Sequence, residues 1–229
     1  MNKIIPAILT TNFLDINLKT KQVESLVSLV QIDICDGHFT SDSTWPYDKG
    51  VFPEIKDDFE ILGWEKLNFE FDLMMENPLS QIENIKNLGG NHVVLHLDSM
   101  ADSDFLTTAL EFQKFDMQIG VGVRNDLDLE RVVKIVESLI ENYITPYIQV
   151  MGIEKIGKQK QPFDDRTLET VAKLKSVFPD LVFQVDGGVN ENTIPLLKEA
   201  GVNNFVVGSA LFEAGIPTRD QYFLLKKLI

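Results

Sequence analysis

Ionisable side chains lie in or at the ends of several short apolar segments of this chain. Asp33, Asp72 and Asp186 occupy such positions, and His96 lies within another apolar run. Burying a carboxylate there costs free energy unless it is paired, bound to a metal or used in catalysis. Two carboxylates on opposite sides of a small substrate suit proton removal on one face and proton delivery on the other. The sequence therefore predicts an acid–base site.

Two glycine turns near the C-terminus predict an anion site. Segment 183–189, Phe-Gln-Val-Asp-Gly-Gly-Val, and segment 204–210, Asn-Phe-Val-Val-Gly-Ser-Ala, each end a β-branched run at glycine. Glycine lets the backbone approach an anion closely. Either turn alone is typical of an ordinary loop, but matched positions after two successive strands favour a shared site at Gly187, Gly188, Gly208 and Ser209.

Ordinary structural roles compete with chemistry at several single residues. Asp36 and Asp98 are as well explained as helix caps or turn formers. His96 taken alone is typical of a hydrogen-bonded core histidine. Cys35 has no paired histidine or basic cluster nearby in the sequence, so we interpret it as a packing residue.

Apolar β-branched segments alternate with amphipathic ones along the whole chain, which is typical of a parallel sheet covered by helices. Eight strands favour a closed (β/α)8 TIM barrel, an α/β fold, in a single domain spanning 1–229. Strands are expected at 4–9, 30–34, 67–73, 92–97, 118–123, 147–151, 182–185 and 204–207. Helices are expected at 15–29, 79–88, 103–114, 128–141, 165–177, 191–200 and 218–228. The long connections 38–50 and 152–164 are expected to serve the active face.

The composition excludes several classes of protein. The 229 residues carry a formal net charge of −14, which argues against nucleic acid and anionic membrane as partners. No apolar run approaches the roughly 18 residues of a membrane span, and the N-terminal segment is typical of a strand and not of a signal peptide. With Cys35 as the single cysteine there is no intrachain disulfide, and we expect a cytoplasmic protein.

Five motifs of the chain are similar, in order, to those of one known family. They are Pro-Ala-Ile-Leu-Thr-Thr-Asn-Phe at 6–13, Gln-Ile-Asp-Ile-Cys-Asp-Gly-His-Phe at 31–39, Asp-Leu-Met-Met-Glu-Asn-Pro at 72–78, Val-Asp-Gly-Gly-Val-Asn at 185–190 and Val-Val-Gly-Ser-Ala at 206–210. On these motifs the chain resembles the ribulose-phosphate 3-epimerases, which are (β/α)8 barrels of the ribulose-phosphate-binding type. The resemblance covers nearly the whole length.

The resemblance implies a reaction and a set of residues for it. The acid–base pair of that family corresponds by position to Asp33 and Asp186, which would remove and return the proton at carbon 3 of a ketose phosphate. It also implies a divalent metal, held by these aspartates and two histidines, that stabilises the enediolate. The implied phosphate ligands are the N–H groups of the two glycine turns. The resemblance also implies that the partner is a small phosphorylated sugar of pentose phosphate metabolism. Because members of the family often form oligomers, it further implies a homo-oligomer.

The chain departs from the family at the metal ligands. Gln31 and Asp72 occupy the positions of both metal histidines. The resulting set of Gln31, Asp33, Asp72 and Asp186 offers only oxygen and suits Mg²⁺ or Mn²⁺ better than Zn²⁺ or Fe²⁺. Without a metal, three carboxylates would repel one another and raise at least one pKa. A harder metal, a proton shared without a metal, and a changed chemistry all remain open.

Two further departures concern substrate contacts. Ala7 stands where the family has a substrate-contacting serine. The family loop Asn-Pro-Gly-x-Gly-Gly-Gln is replaced by the slightly longer segment 152–163, in which Gly157 alone suits a phosphate-facing role. Lys155, Lys158 and Lys160 in this segment either supply positive charge to the site or form a solvated basic loop.

Three functions fit these observations. The best supported is an isomerase that epimerises a ketose phosphate at carbon 3 through an enediolate. The second is another sugar-phosphate enzyme, an aldolase or lyase, on the same barrel; a Schiff-base version is disfavoured because Lys66 lies only at a strand edge. The third is a non-catalytic paralogue that binds phosphosugars.

Overall fold

Eight parallel strands close into a barrel in the computed structural model, which describes residues 2–47, 51–54 and 60–229. They are β1 (Lys3–Ile8), β2 (Leu29–Cys35), β3 (Asn68–Met74), β4 (Gly90–His96), β5 (Gln118–Val123), β6 (Tyr147–Met151), β7 (Phe183–Asp186) and β8 (Asn204–Val207). Each strand pairs with the next in chain order, and β8 returns to β1 with Ile5 opposite Val206. The predicted (β/α)8 barrel is confirmed.

Helices cover the outside of the barrel. They are α1 (Phe13–Val23), α2 (Ile82–Asn87), α3 (Asp102–Gln113), α4 (Leu129–Glu141), α5 (Arg166–Val177), α6 (Thr193–Glu199), α7 (Ser209–Phe212) and α8 (Thr218–Lys226). The side chain of Asp128 caps α4 by accepting a hydrogen bond from the Glu130 N–H at 3.0 Å. Within the described part of the chain, no helix is long and apolar enough to cross a bilayer.

The helices differ from the expected ones in three places. α1 ends at Val23 because the chain must turn back before β2, whose first residue Leu29 is already buried in the barrel. The expected helix 79–88 begins as a 3₁₀ turn, Pro78–Gln81, where proline is suited to the first turn. The four residues of α7 are too few to show a helical period in the sequence.

The strands bury two different kinds of side chain. Large aromatic residues such as Phe69, Phe71 and Phe183 belong to the main apolar core. The alternate positions carry buried polar groups, namely Gln31, Asp33, Glu70, Asp72, His96, Gln149, Gln184 and Asp186. Barrel interiors are more often filled by branched aliphatic side chains. The buried polar side chains therefore mark the barrel interior as a candidate functional site.

The two long connections lie at the ends of β2 and β6, at the C-terminal end of the barrel. In the first, the described residues 38–47 follow a turn held by Asp36, and residues 48–50 lie outside the described residues. No helix occurs among the described residues between β2 and β3. The second, 152–164, runs from β6 towards α5 and borders the same cavity as the ends of β2 and β7.

Candidate active site

A cavity of about 430 Å³ lies at the C-terminal ends of the strands. Both aspartates of the predicted acid–base pair and all five residues of the predicted phosphate site line it: Asp33, Asp186, Gly157, Gly187, Gly188, Gly208 and Ser209. Ala7 lines it as well. The structure thus places these residues around one space of a size suited to a small sugar phosphate.

A glutamine joins the two aspartates of the cavity. Gln31 and Asp33 lie two residues apart on β2, so their side chains point to the same side of the strand. The Nε2 of Gln31 donates hydrogen bonds to Asp33 Oδ1 at 2.8 Å and to Asp186 Oδ2 at 2.9 Å. A single amide therefore holds carboxylates from β2 and β7 at a set separation.

The surroundings of these carboxylates favour their protonated forms. Burial, followed by the charge of Asp72, raises the pKa of Asp33 from 3.8 to about 7. Burial, followed by the charges of Asp33 and Asp72, raises the pKa of Asp186 well above its ordinary value. The pair therefore retains a proton near neutral pH, as the sequence predicts for crowded carboxylates without a metal.

Asp72 lies at the same level of the barrel and is fully buried. Its Oδ1 is 2.7 Å from His96 Nε2, and its Oδ2 accepts a hydrogen bond from Gln149 Nε2 at 2.9 Å. Burial alone would lower the pKa of His96, but the charge and hydrogen bond of Asp72 outweigh burial and raise it. His96 Nδ1 has no hydrogen-bond partner among the described residues. Gly122 makes room for this ring, because a Cβ there would lie 2.9 Å from Nδ1.

A deeper polar network, which the sequence interpretation missed, orients the amides of the site. Gln184 Nε2 donates to Glu70 Oε1 and to Gln149 Oε1, each at 2.7 Å, and Gln184 Oε1 accepts from Asn204 Nδ2 at 3.1 Å. The hydroxyl of Tyr147 donates to Glu70 Oε2 at 2.5 Å. Burial raises the pKa of Glu70 to about 7. Since Gln149 accepts from Gln184, its NH₂ group is left to face Asp72. The signal in the sequence was polar residues at alternating positions of apolar strands.

The acidic cluster has donors suited to a metal. One carboxylate oxygen from each of Asp33, Asp72 and Asp186 lies within 4.8 Å of the others. An all-oxygen, anionic set fits a hard divalent cation. Gln31 turns its NH₂ group, and not its oxygen, to Asp33 and Asp186. The three aspartates are therefore the part of the predicted ligand set that fits such an ion in this arrangement.

The turn after β7 has a conformation that requires glycine. Gly187 and Gly188 have φ angles of +97° and +68°, in the left-handed region. A Cβ on Gly188 would also lie 2.9 Å from Phe163 Cα. The Gly188 carbonyl accepts hydrogen bonds from Asn190 Nδ2 and Thr193 Oγ1, both at 2.9 Å. This turn is therefore held in one shape beside the cavity.

The connection after β6 forms another wall of the cavity. Gly157, with a φ angle of +75°, packs against Thr40 and Cys35, where a Cβ would lie 2.9 Å from Thr40. Gln159 Nε2 donates to the Leu9 carbonyl at 3.3 Å. These contacts tie the connection to the loops that follow β1 and β2.

The structural interpretations of Cys35 and Asp36 agree with the structure. Cys35 is buried, its Sγ lies 4.0 Å from Met74 Sδ, and burial raises the pKa of its thiol. Asp36 Oδ1 accepts hydrogen bonds from the N–H groups of His38 and Phe39 at 2.8 and 2.9 Å. Asp36 is therefore a turn former.

Curated relatives of this chain include ribulose-phosphate 3-epimerases of a plant and a bacterium. The chain is 28% identical over 216 residues to "Ribulose-phosphate 3-epimerase, cytoplasmic isoform" of Oryza sativa subsp. japonica, covering 94% of this chain and 89% of that protein. It is 26% identical to the ribulose-phosphate 3-epimerase of Bacillus subtilis (strain 168), covering 93% of each chain.

Solved structures show the same fold at lower identity. A ligand complex of KGPDC from Streptococcus mutans matches with a TM-score of 0.67 at 13% identity, over 98% of this chain and 97% of that one. A 3-hexulose-6-phosphate synthase matches with a TM-score of 0.66 at 18% identity over 100% of both chains. The model of the ribulose-phosphate 3 epimerase family matches residues 3–212. The chain therefore belongs to the ribulose-phosphate 3-epimerase family.

Proposed function

We propose that this protein epimerises ribulose 5-phosphate, or a closely related ketose phosphate, at carbon 3. The observation that carries the proposal is the pair of buried carboxylates, Asp33 and Asp186, that share the Gln31 amide at the floor of the cavity. Burial and repulsion from neighbouring carboxylates, Asp72 for Asp33 and both Asp33 and Asp72 for Asp186, raise both pKa values, so the pair without a bound cation holds one proton near neutral pH. One carboxylate then acts as a base while the other acts as an acid.

The reaction uses these two groups in sequence. The ionised aspartate removes the proton from carbon 3, and the electron pair of that C–H bond moves to form an enediolate with the carbonyl at carbon 2. The protonated aspartate delivers its proton to the opposite face of carbon 3, and the carbonyl re-forms. The two strands that carry Asp33 and Asp186 are separated by β8 and β1, so the carboxylates approach the substrate from different sides.

A divalent cation fits the three aspartates, and we propose Mg²⁺ or Mn²⁺ ahead of Zn²⁺ or Fe²⁺ because the ligand atoms are all oxygen. Bound there, the cation would supply Lewis-acid stabilisation of negative charge on the substrate oxygens. Asp72 would hold it without taking part in proton transfer, since its oxygens already contact His96 and Gln149. Gln31 would join these ligands only with its amide turned over.

The phosphate group is proposed to bind at the glycine turns, at Gly187, Gly188, Gly208 and Ser209, with Gly157 on the opposite connection. These residues border the same cavity as the aspartates, which supports a substrate that spans both. A cytoplasmic location is proposed because the rice relative is named a cytoplasmic isoform. A homo-oligomer remains a proposal from the family resemblance.

A Schiff-base aldolase has less support. Lys66 precedes β3, its side chain is 63% exposed, and its Nζ lies 3.8 Å from Glu24. It therefore points to solvent and away from the barrel interior, where such a lysine must lie.

The direct test is interconversion of ribulose 5-phosphate and xylulose 5-phosphate by the purified protein. We expect turnover that is higher with Mg²⁺ or Mn²⁺ than with Zn²⁺ or Fe²⁺. Absence of interconversion with every one of these metals would contradict the proposed function, and cleavage products from phosphorylated sugars would favour the lyase instead.

A further inference from the structure

The connection after β6 places two lysines at the cavity and one outside it. Lys158 and Lys160 line the cavity that contains Asp33 and Asp186. Lys155 lies in the same connection but borders a separate depression with Phe163 and Arg166. The sequence leaves the roles of these three lysines open. The structure divides them into two that line the cavity and one that lies outside it.

The cavity needs positive charge if it is to hold a phosphorylated substrate. The chain has a formal net charge of −14, and the buried Asp33 and Asp186 line the cavity. Backbone N–H groups of the glycine turns carry only partial charge. Lys158 and Lys160 are the two lysine or arginine residues among the described residues that line the cavity. A phosphate dianion therefore has these two cations to offset its charge.

Lys160 is placed beside the phosphate-side turns. Its Nζ lies 2.7 Å from Glu213 Oε2, in an ion pair whose side chains are 71% and 39% exposed. Glu213 follows α7, which begins directly after Gly208, so the backbone of Glu213 lies about one helical turn of 5.4 Å along the helix axis from that of Ser209. An ion pair this exposed contributes little stability and exchanges readily.

The backbone of Lys160 gives a second sign that its side chain is needed. Its φ angle is +57°, in the left-handed region where glycine is favoured. Non-glycine residues in this region carry strain and are concentrated at functional sites. Glycine would adopt this conformation with less strain, so a lysine at this position indicates a function for its charge.

We propose that Lys160 is a substrate-binding residue that leaves Glu213 to pair with the substrate phosphate held at the glycine turns. Lys158, whose Nζ is 3.5 Å from Asp42 on the β2 side, contributes a weaker and more distant attraction. This inference rests on the proposed function for the identity of the substrate, but not for the phosphate itself.

The test compares four proteins: the parent, Lys160→Gly, Glu213→Gln and Lys155→Ala. Dissociation constants for inorganic phosphate and KM for ribulose 5-phosphate are measured at low ionic strength, with melting temperatures as a fold control. Lys160→Gly removes the charge and relieves the backbone, so we expect about tenfold weaker phosphate binding and a higher KM, with no fall in melting temperature. Glu213→Gln frees Lys160, so phosphate binding is expected to become about two- to threefold tighter. Lys155→Ala should match the parent.

The opposite signs separate phosphate binding from a merely structural ion pair. If the Lys160–Glu213 ion pair only anchors the connection after β6, both Lys160→Gly and Glu213→Gln should weaken phosphate binding and lower the melting temperature. That result would show the proposal to be wrong. The proposal is also wrong if Lys160→Gly and the parent bind phosphate equally well. If the parent lacks epimerase activity but Lys160→Gly still loses phosphate affinity, the proposed reaction fails and the role of Lys160 stands.

Discussion

Two regions of the proposed site are built in different ways: the phosphate-side turns, formed by Gly187, Gly188, Gly208 and Ser209, and the reacting end, formed by Gln31, Asp33, Asp72 and Asp186. The turn at Gly187 and Gly188 depends on backbone conformations that glycine adopts at little cost. The reacting end depends on side chains from several strands that orient one another, as Gln31 does for Asp33 and Asp186. A site made of backbone changes little as side chains diverge. A site made of side chains can change one residue at a time, and the sequence resemblance implies two such changes, at Gln31 and Asp72.

The two regions also differ in charge. The reacting end holds the carboxylates of Asp33, Asp72 and Asp186 within 4.8 Å of one another. The connection after β6, which borders the same cavity, carries Lys158 and Lys160. We expect this difference to orient a sugar phosphate, because its phosphate would be repelled by the first region and attracted by the second.

The largest effect is expected from the acid–base pair. Asp33→Asn and Asp186→Asn each remove one proton-transfer group but keep the side-chain shape, so kcat should fall by about 10³-fold or more. Binding of inorganic phosphate should be retained, because the phosphate-side turns are untouched. Asp180→Asn, at an exposed position, is the matched control and should be fully active. Full activity in either Asp33→Asn or Asp186→Asn would contradict the assignment of proton transfer to the reacting end.

A smaller but still large effect is expected from Gln31→Met, which removes the bridging amide and preserves length. Loss of two hydrogen bonds to carboxylates should lower kcat by about 100-fold and leave phosphate binding unchanged. Steady-state kinetics and phosphate titration measure both quantities. Gln118→Met, at the exposed start of β5, should behave as the parent. Loss of phosphate affinity in Gln31→Met would show that the two regions are not independent.

The reacting end should make stability depend on pH. The folded-state pKa of Asp33 is raised from 3.8 to about 7, so the native protein binds more protons than the unfolded chain between these values. Stability from this group is therefore lost as pH rises through that window. In EDTA, Asp33→Asn should match the parent near pH 4 and melt about 10 °C higher at pH 8, an effect of about 4 kcal/mol. A parent that gains stability relative to Asp33→Asn as pH rises would contradict the raised pKa.

The strands, the aspartates and the glycine turns could all be predicted from the sequence, because each has a local pattern. Asp33 and Asp186 stand out as carboxylates in apolar runs, and the glycines stand at strand ends.

The network around Glu70, Gln149 and Gln184 could not be predicted in the same way. Which face of a strand points into a barrel depends on how the barrel closes, and this is a long-range property. Space for the His96 ring depends on Gly122 of the neighbouring strand β5, which local patterns do not reveal. The direction of the Gln31 amide depends on partners as distant in sequence as Asp186.

The smallest effect concerns the glycine turn and separates backbone strain from ligand contact. Gly188→Ala adds a Cβ at a φ angle of +68° and 2.9 Å from Phe163 Cα, so stability should fall by about 1–3 kcal/mol and phosphate binding should weaken. Gly215→Ala is the matched control, because Gly215 has a φ angle of +78° and nothing lies within 4 Å of the added Cβ. It should lose about 1 kcal/mol and bind phosphate normally. Equal phosphate affinity in Gly188→Ala and Gly215→Ala would show that the turn at Gly188 does not bind the phosphate.

In the proposed reaction, Asp33 and Asp186 exchange the proton at carbon 3 of a ketose phosphate on opposite faces. Incubation with ribulose 5-phosphate in D₂O, followed by NMR of the product, tests it most directly. We expect xylulose 5-phosphate with deuterium at carbon 3, and no xylulose 5-phosphate with Asp33→Asn, in which Asp186 can still exchange the proton on its own face only. Xylulose 5-phosphate without deuterium would point to a transfer that does not pass through exchangeable carboxyl groups, and formation of deuterated xylulose 5-phosphate by Asp33→Asn would contradict the assignment of the pair.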